Sequence, residues 1–447
     1  MRRYLQAWRE EVTTTVPAVA RSLAFVQRNI VALMVLLSVM SYFDRTIMSI
    51  AGPGMIHDFG LSETQMGSVY SAFLLGYALM MMPGGRLADR WGPWRTLMGM
   101  GCGAALFTGL TALGARPGLG SWIGIVSAFL LIRFALGVCT APIYPACGRM
   151  IANWFPAARQ GLVWGLVAGG AGVGSAISPT LFAWMIPRYG WRVSFWLAGA
   201  ATALLAFLWA WYARDRPAEH PSLHALEIAA GIQASPSSSA GRSLPSWKQV
   251  LANRNVMLLA AGYSTVGYFE YIFFFWIYYY FGQIRHMTPN ETSIYTATIF
   301  IAWVVMTPCG GWVSDRLVKE LGARRGRGIV PAVAMLLAAL LLLLGTRLSS
   351  PPALGVTLAL SFGLASCSDG PYWAATIDAG SKNVGAACGI LNTGSNLGGF
   401  IAPVLTPFIA SLAGWSAALY FGCVVAVIGV GIWLFVGPSV AETVPRK

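Results

Sequence analysis

The sequence predicts an all-α membrane protein of twelve transmembrane helices, folded as two pseudo-symmetric six-helix bundles. Three observations carry that prediction. Of the 447 residues, 56% are hydrophobic and only 10% charged, whereas an ordinary soluble chain carries about 25% charged residues. Segments long enough to cross a bilayer, which takes about 20 apolar residues, recur along the whole chain. Landmarks of the first half also return in the second at a nearly constant offset.

The predicted spans are 30–52, 65–84, 96–114, 122–148, 160–185 and 193–212, then 256–280, 291–310, 329–346, 354–378, 385–408 and 415–436. Only the connection 213–252 is long and polar. With Ser235-Pro236-Ser237-Ser238-Ser239 and Gly241 it reads as a flexible linker, with room for a short helix near His224. This divides the chain into a segment 1–29, a bundle 30–212, a linker 213–252, a bundle 253–436 and a tail 437–447. The N-terminus mixes Arg2 and Arg3 with Glu10 and Glu11 and lacks a short apolar core before a cleavage site. It reads as a retained cytoplasmic segment and not a signal peptide.

The net charge of +14 is a statement about topology. With the N-terminus inside, 23 of the 30 Lys and Arg fall in cytoplasmic segments and five in external loops, the bias that orients membrane proteins. Arg45 and Arg133, within spans, complete the count. Nucleic-acid binding is not needed to explain the charge. The seven Cys lie in apolar segments without CxxC spacing, and the four His lie in segments read as loops. Neither pattern holds a disulfide framework, a metal site or an intramembrane His relay. No Ser-His-Asp set or metal cluster can be assembled, so no enzyme, cofactor or catalytic residue is expected.

The repeats are specific. Gly85-Arg86-Leu87-Ala88-Asp89-Arg90 follows the second span, and Gly311-Trp312-Val313-Ser314-Asp315-Arg316 follows the eighth. Gly165, Gly170, Gly174 and Pro179 of the fifth span recur with the same spacing as Gly389, Gly394, Gly398 and Pro403 of the eleventh. Parallel repeats related by an axis along the membrane normal are a transporter architecture, with the substrate held between them at mid-membrane. The glycine pairs are small-xxx-small faces for close helix packing.

The segment Gly85–Gly92, with Arg95 after it, resembles the signature loop of the major facilitator superfamily. Tyr42-Phe43-Asp44-Arg45, Ser71-Ala72-Phe73-Leu74-Leu75-Gly76-Tyr77, Pro83-Gly84-Gly85 and Arg133-Phe134 with Gly137 resemble the anion:cation symporter family within it. That family includes bacterial carriers of galactonate, glucarate and hexuronates, and animal carriers of sialic acid and phosphate. The resemblance covers essentially the whole chain.

Charges at mid-span cost about 2.5–3.5 kcal/mol each on insertion scales, which makes them functional candidates. Asp44, Arg45, Arg133, Glu270 and Asp369 qualify. A guanidinium presents a planar fork of donors that matches a carboxylate, and the resemblance gives Arg45 that role. Tyr42, three residues earlier on nearly the same helix face, and Tyr77 match sugar-acid-binding positions of the family. Trp373 and Asn392 match its cavity positions. Asp44 beside Arg45 reads as a switch: substrate on Arg45 withdraws the compensating charge, and Asp44 then takes up a proton.

In the resembled family a glutamate seven residues after Arg133 also handles protons. Here that position is Thr140, which cannot titrate. Aligning the halves sets Ser368-Asp369-Gly370-Pro371 over Cys139-Thr140-Ala141-Pro142. The second acid is therefore expected to have moved to Asp369, with Glu270 as its rival. The aromatic run Phe273–Tyr280 reads either as an interfacial belt or as a wall in which Tyr271, Trp276 or Tyr278 lines the outer cavity. Asp89, Arg90 and Asp315 are the expected inner gate. Gly170 stands where some sugar-acid carriers have a hydrogen-bonding side chain. With two cationic and three acidic candidates, an anion fits when two acids are protonated, and a neutral or zwitterionic solute when all are ionised.

The expectation is proton-coupled uptake of a small organic anion, a sugar acid or related carboxylate, by alternating access in a bacterial inner membrane. The partners are then the anion, protons and the lipid bilayer, with the protein a monomer and both termini cytoplasmic. An exchanger or exporter of organophosphates without proton symport is the alternative.

Overall fold

The computed structural model describes residues 2–114, 118–155, 157–223, 250–380 and 384–437. The linker stretch 235–241, His224, and the tail beyond Gly437 lie outside them.

The helices are α1 (Arg2–Phe59), α2 (Glu63–Trp91), α3 (Pro93–Thr111), α4 (Gly120–Ile123), α5 (Ile125–Thr140), α6 (Ile143–Trp154) and α7 (Ala157–Tyr212). After the linker come α8 (Arg254–Tyr279), α9 (Pro289–Leu321), α10 (Ala323–Gly345), α11 (Pro351–Ser366), α12 (Asp369–Gly380), α13 (Val384–Ala413) and α14 (Trp415–Trp433). Each predicted span coincides with helix. Nine helices among the described residues are long and apolar enough to cross a bilayer, ten when the bent pair Glu63–Met81 and Pro83–Trp91 counts as one. One of the nine, Val163–Tyr212, has 50 residues. At about 1.5 Å per residue that is more than twice the hydrocarbon thickness. It holds the fifth and sixth predicted spans, and Gly190, at φ 79, interrupts the helix between them.

Local chemistry sets the breaks. The fourth predicted span parts into α5 and α6 at Ala141-Pro142, because proline cannot donate to the turn before it. The tenth parts into α11 and α12 at Cys367-Ser368, just before Gly370-Pro371. These are the positions that the alignment of the two halves brings together. α2 and α9 also begin alike, each with a capping box, Ser62 with Gln65 and Thr288 with Glu291.

Packing repeats in the same way. α1 packs on the first part of α7, and α8 on α13; α2 packs on α5, and α9 on α11. The most extensive seams between the halves are α2 against α13 and α7 against α9, and α1 also meets α8. The paired glycines explain the closest approaches. A Cβ on Gly174 would meet the Val39 carbonyl oxygen at 2.5 Å, and one on Gly398 would meet that of Ser264 at 1.8 Å. α8 is central, 78% of its apolar window being buried, whereas α9 buries 22% of its own. Leu79, Leu106, Leu131, Phe207 and Trp211 are exposed on the outer surface. A surface so apolar is stable in lipid and not in water.

Candidate functional site

A cavity of about 560 Å³ lies between the halves, walled by residues of α1, α2, α6 and α7 on one side and α8, α9, α12 and α13 on the other. Trp164, Gly165 and Gly311 border it toward the face that carries the 91–93 and 321–323 turns. The opposite face is shut. There the Ser71 hydroxyl donates to the Phe400 carbonyl at 2.6 Å, and Tyr279 donates to Glu63. Tyr70 stacks on Phe275 with ring centroids 4.9 Å apart. A Cβ on Gly67 would lie 2.0 Å from the Pro403 carbonyl oxygen, so the backbones of α2 and α13 nearly touch.

Arg45 reaches the cavity wall from α1. Its guanidinium carbon sits 4.7 Å from the ring centroid of Tyr42, 4.8 Å from that of Phe73 and 5.0 Å from that of Tyr77. The ring faces supply negative charge density to a cation that is 3% exposed. Nη1 donates to the Tyr271 hydroxyl at 3.1 Å, while Nε is buried without a partner. An unpaired buried donor costs about 1–3 kcal/mol.

Asp44 and Arg133 are not part of the wall. The Asp44 carboxylate points into the first bundle, where Thr202 donates to Oδ2 at 3.0 Å and Thr108 borders it. Arg133 is fully buried behind the cavity. Its Nη1 donates to the Asp44 carbonyl at 3.1 Å and its Nη2 to the Arg45 carbonyl at 3.3 Å. It holds the α1 backbone that presents Arg45. Thr140 bonds the Leu136 carbonyl of its own helix at 2.8 Å.

Across the cavity, Asp369 opens α12, where the helix N-terminus favours an acid. Its Oδ1 accepts from the Tyr263 hydroxyl at 3.0 Å, and that hydroxyl accepts from the Trp373 indole at 3.3 Å. Glu270 is buried nearby, outside the wall, with Oε1 unpaired. Asn392 and Asn396 bond each other along α13, the Asn396 amide donating to Asn392 Oδ1 at 3.2 Å. The structure thus brings Tyr42, Arg45, Tyr77, Asp369, Trp373 and Asn392 to one cavity and leaves Asp44, Arg133 and Glu270 behind its wall.

Asp89 and Asp315, expected at an inner gate, lie on the open face. Asp89 is 3.8 Å from Arg149 of its own half. Arg327 pairs with Asp315 at 2.6 Å and with Asp378 at 3.4 Å. The N-terminus of α3 is served by Asp215 and not by Asp89: Trp94 N–H donates to Asp215 Oδ1 at 2.7 Å. Asp89 and Arg149 are both exposed, so Arg149→Ala is expected to change stability by about 1 kcal/mol or less. A thermal melt of the solubilised protein checks it.

Sequence reasoning missed Tyr144, Tyr263, Trp303 and Asn396, which also line the cavity. One signal was available. Tyr42-Phe43-Asp44-Arg45 aligns with Tyr268-Phe269-Glu270-Tyr271 at the same offset as the two loop motifs. Asp44 and Glu270 are thus counterparts, both buried just behind the wall. Arg45 and Tyr271 are counterparts too, and they meet across the axis. Of the aromatic residues expected at the outer cavity, Tyr271 lines the cavity, whereas Trp276 bonds the Pro403 carbonyl at 3.0 Å beside the closed seam.

A central cavity between two repeated bundles, shut on one face only, defines a membrane carrier that moves a solute without transforming it. The chain belongs to the Major Facilitator Superfamily, whose profile matches residues 34–381. It is 28% identical over 424 residues to the "probable sulfoacetate transporter SauU" of Cupriavidus necator, covering 94% of this chain and 95% of that one. It is 28% identical to the hexuronate transporter of Bacillus subtilis, over 92% of this chain and 95% of the relative. The "probable galactarate/D-glucarate transporter GudP" of the same organism is also 28% identical, with 94% and 93% covered. Relatives named for sugar acids and other anions are what the resemblance to the anion:cation symporter family implied. Among solved structures, a bacterial homologue of the lysosomal transporter Spinster superposes with a TM-score of 0.75 at 16% identity, over 92% of this chain and 97% of that one. This likeness is one of fold.

Proposed function

We propose that this protein carries a small organic anion, a sugar acid or related carboxylate, into the cell together with protons, by rocking of its two bundles in a bacterial inner membrane. Both termini are then cytoplasmic, and the cavity faces the cytoplasm. The observation that carries the proposal is Arg45, a buried guanidinium at the cavity wall with an unsatisfied donor. Tyr42, Tyr77, Trp373 and Asn392 supply ring faces and hydrogen-bonding groups suited to a hydroxylated carbon chain. Arg133 acts by positioning Arg45.

An anion entering a negative interior moves uphill by about 2.3 kcal/mol per charge per 100 mV. A proton excess reverses that sign. Asp44 is the proton site of the first half, one residue from the anion anchor. The correspondence of Asp44 with Glu270 supports Glu270 over Asp369 as the proton site of the second half. Glu270→Gln is expected to leave exchange of substrate across the membrane but to abolish accumulation driven by a proton gradient. Accumulation that survives in Glu270→Gln and is lost in Asp369→Asn would reassign that site. In the alternative, an organophosphate exchanger, both arginines would clamp a phosphate. The engagement of Arg133 with backbone carbonyls supports a single-arginine anchor instead.

The test is uptake of labelled glucuronate, galactarate, glucarate and sulfoacetate into proteoliposomes under an imposed inward proton gradient. Gradient-driven accumulation of one of them supports symport. Transport indifferent to the gradient supports exchange.

A further inference from the structure

We infer that the preferred substrate is a zwitterion, a carboxylate or sulfonate that also carries a protonated amine, with the acid on Arg45 and the amine on Asp369. The inference rests on the reading of Arg45 as the anchor for an acid group and departs from that of a net anion, since the charges of acid and amine cancel.

The argument is a balance of charge in a confined space. Among the described residues, the cavity wall holds two charged side chains, Arg45 from the first half and Asp369 from the second. Arg133, Asp44 and Glu270 are all withdrawn behind it. Seen by the substrate, the wall is therefore one cation facing one carboxylate. A buried charge is tolerated only when paired. A plain monoanion satisfies Arg45 and leaves Asp369 beside an added negative charge. A zwitterion satisfies both ends at once.

The surroundings of Asp369 agree. An indole N–H can only donate, so the Tyr263 oxygen accepts from Trp373 and turns its own hydrogen to Asp369. This chain fixes Oδ1 as an acceptor, and the Trp303 indole also donates to the carboxylate, so Asp369 is held as an acceptor at the wall. Tyr263, Trp303 and Trp373 line the cavity around this carboxylate. Aromatic walls about an acid are a setting in which an alkylammonium is well held. Gly169, Gly172, Val304 and Pro308 add apolar wall to the same cavity.

The test compares matched pairs of carboxylates that differ only in bearing an amine or a hydroxyl at one carbon, with that carbon stepped along the chain. Binding to the full-length purified protein is read by calorimetry. At one spacing the amine is expected to bind about 10-fold tighter than its hydroxyl twin, the worth of one net ionic contact. Asp369→Asn should bring the ratio of the two affinities close to one, and Asp369→Glu should retain most of it. A ratio near one at every spacing in the wild type overturns the inference, as does a preference for the amine that persists in Asp369→Asn. Hydroxy acids that bind best, and lose binding in Arg45→Ala, overturn it while leaving the anion-carrier reading intact. Binding of neither series overturns both.

Discussion

Replacing Arg45 by alanine is expected to reduce substrate affinity and uptake by about 100-fold, with no fall in the thermal stability of the protein. The two halves of this expectation have different causes. Removing one partner of a buried, charge-assisted contact costs about 2–5 kcal/mol, and every 1.4 kcal/mol is tenfold. Without substrate, however, Arg45 is a cation held in mid-membrane by ring faces and one tyrosine hydroxyl. Its removal also relieves the cost of holding a charge there, about 2.5–3.5 kcal/mol. Arg45→Lys keeps the charge but not the planar fork and is expected to fall between, near 10-fold. Uptake assays and melting curves on the same preparations check both parts. A variant that loses stability along with uptake would mark Arg45 as a packing residue.

Gly67→Val is expected to abolish transport while leaving both bundles folded. The added Cβ would sit 2.0 Å from the Pro403 carbonyl oxygen across the seam between α2 and α13. That oxygen is backbone and cannot step aside as a flexible side chain would. The clash falls between the halves, so each bundle keeps its own packing, but the closed seam cannot form. A penalty of about 3 kcal/mol shifts the balance of states more than 100-fold toward the form open at this seam. The reporter is a cysteine at Ser71, whose side chain lies in the seam, on a background without the native cysteines. It should be shielded from a membrane-impermeant thiol reagent in the parent and labelled in Gly67→Val. Unchanged labelling would mean that the seam yields around the added methyls. Gly398→Val makes the contrast. Its clash, 1.8 Å from the Ser264 oxygen, lies within one bundle, so that variant should lose stability by about 1–3 kcal/mol.

Much of this was legible in the sequence. Lipid has no hydrogen bonds to offer, so a chain that crosses it must form helices of a set length from apolar residues. That rule placed the spans, and the repeated glycines and loop motifs paired them. The break at Pro142 and its counterpart at Pro371 follow from the local chemistry of proline. Arg45 was also legible, because a charge at mid-span has few other reasons to be there.

Which way each charge points was not legible. Asp44 and Arg45 are neighbours in sequence, yet helical residues one apart differ by about 100° of rotation. One faces Thr202 and the other the cavity. Arg133, a charge at mid-span like Arg45, is consumed by two backbone carbonyls of α1. No spacing rule anticipates a partner 88 or 89 residues away. Tyr144, Tyr263 and Trp303 looked like ordinary members of an aromatic-rich chain until three separate helices brought them to one wall. Composition, hydropathy and internal repeats therefore determined the membrane, the two bundles and the arginine at their meeting. The tertiary structure alone decided the charge that a substrate meets, because that depends on which side chains the rotation and packing of eight helices leave facing the same empty space.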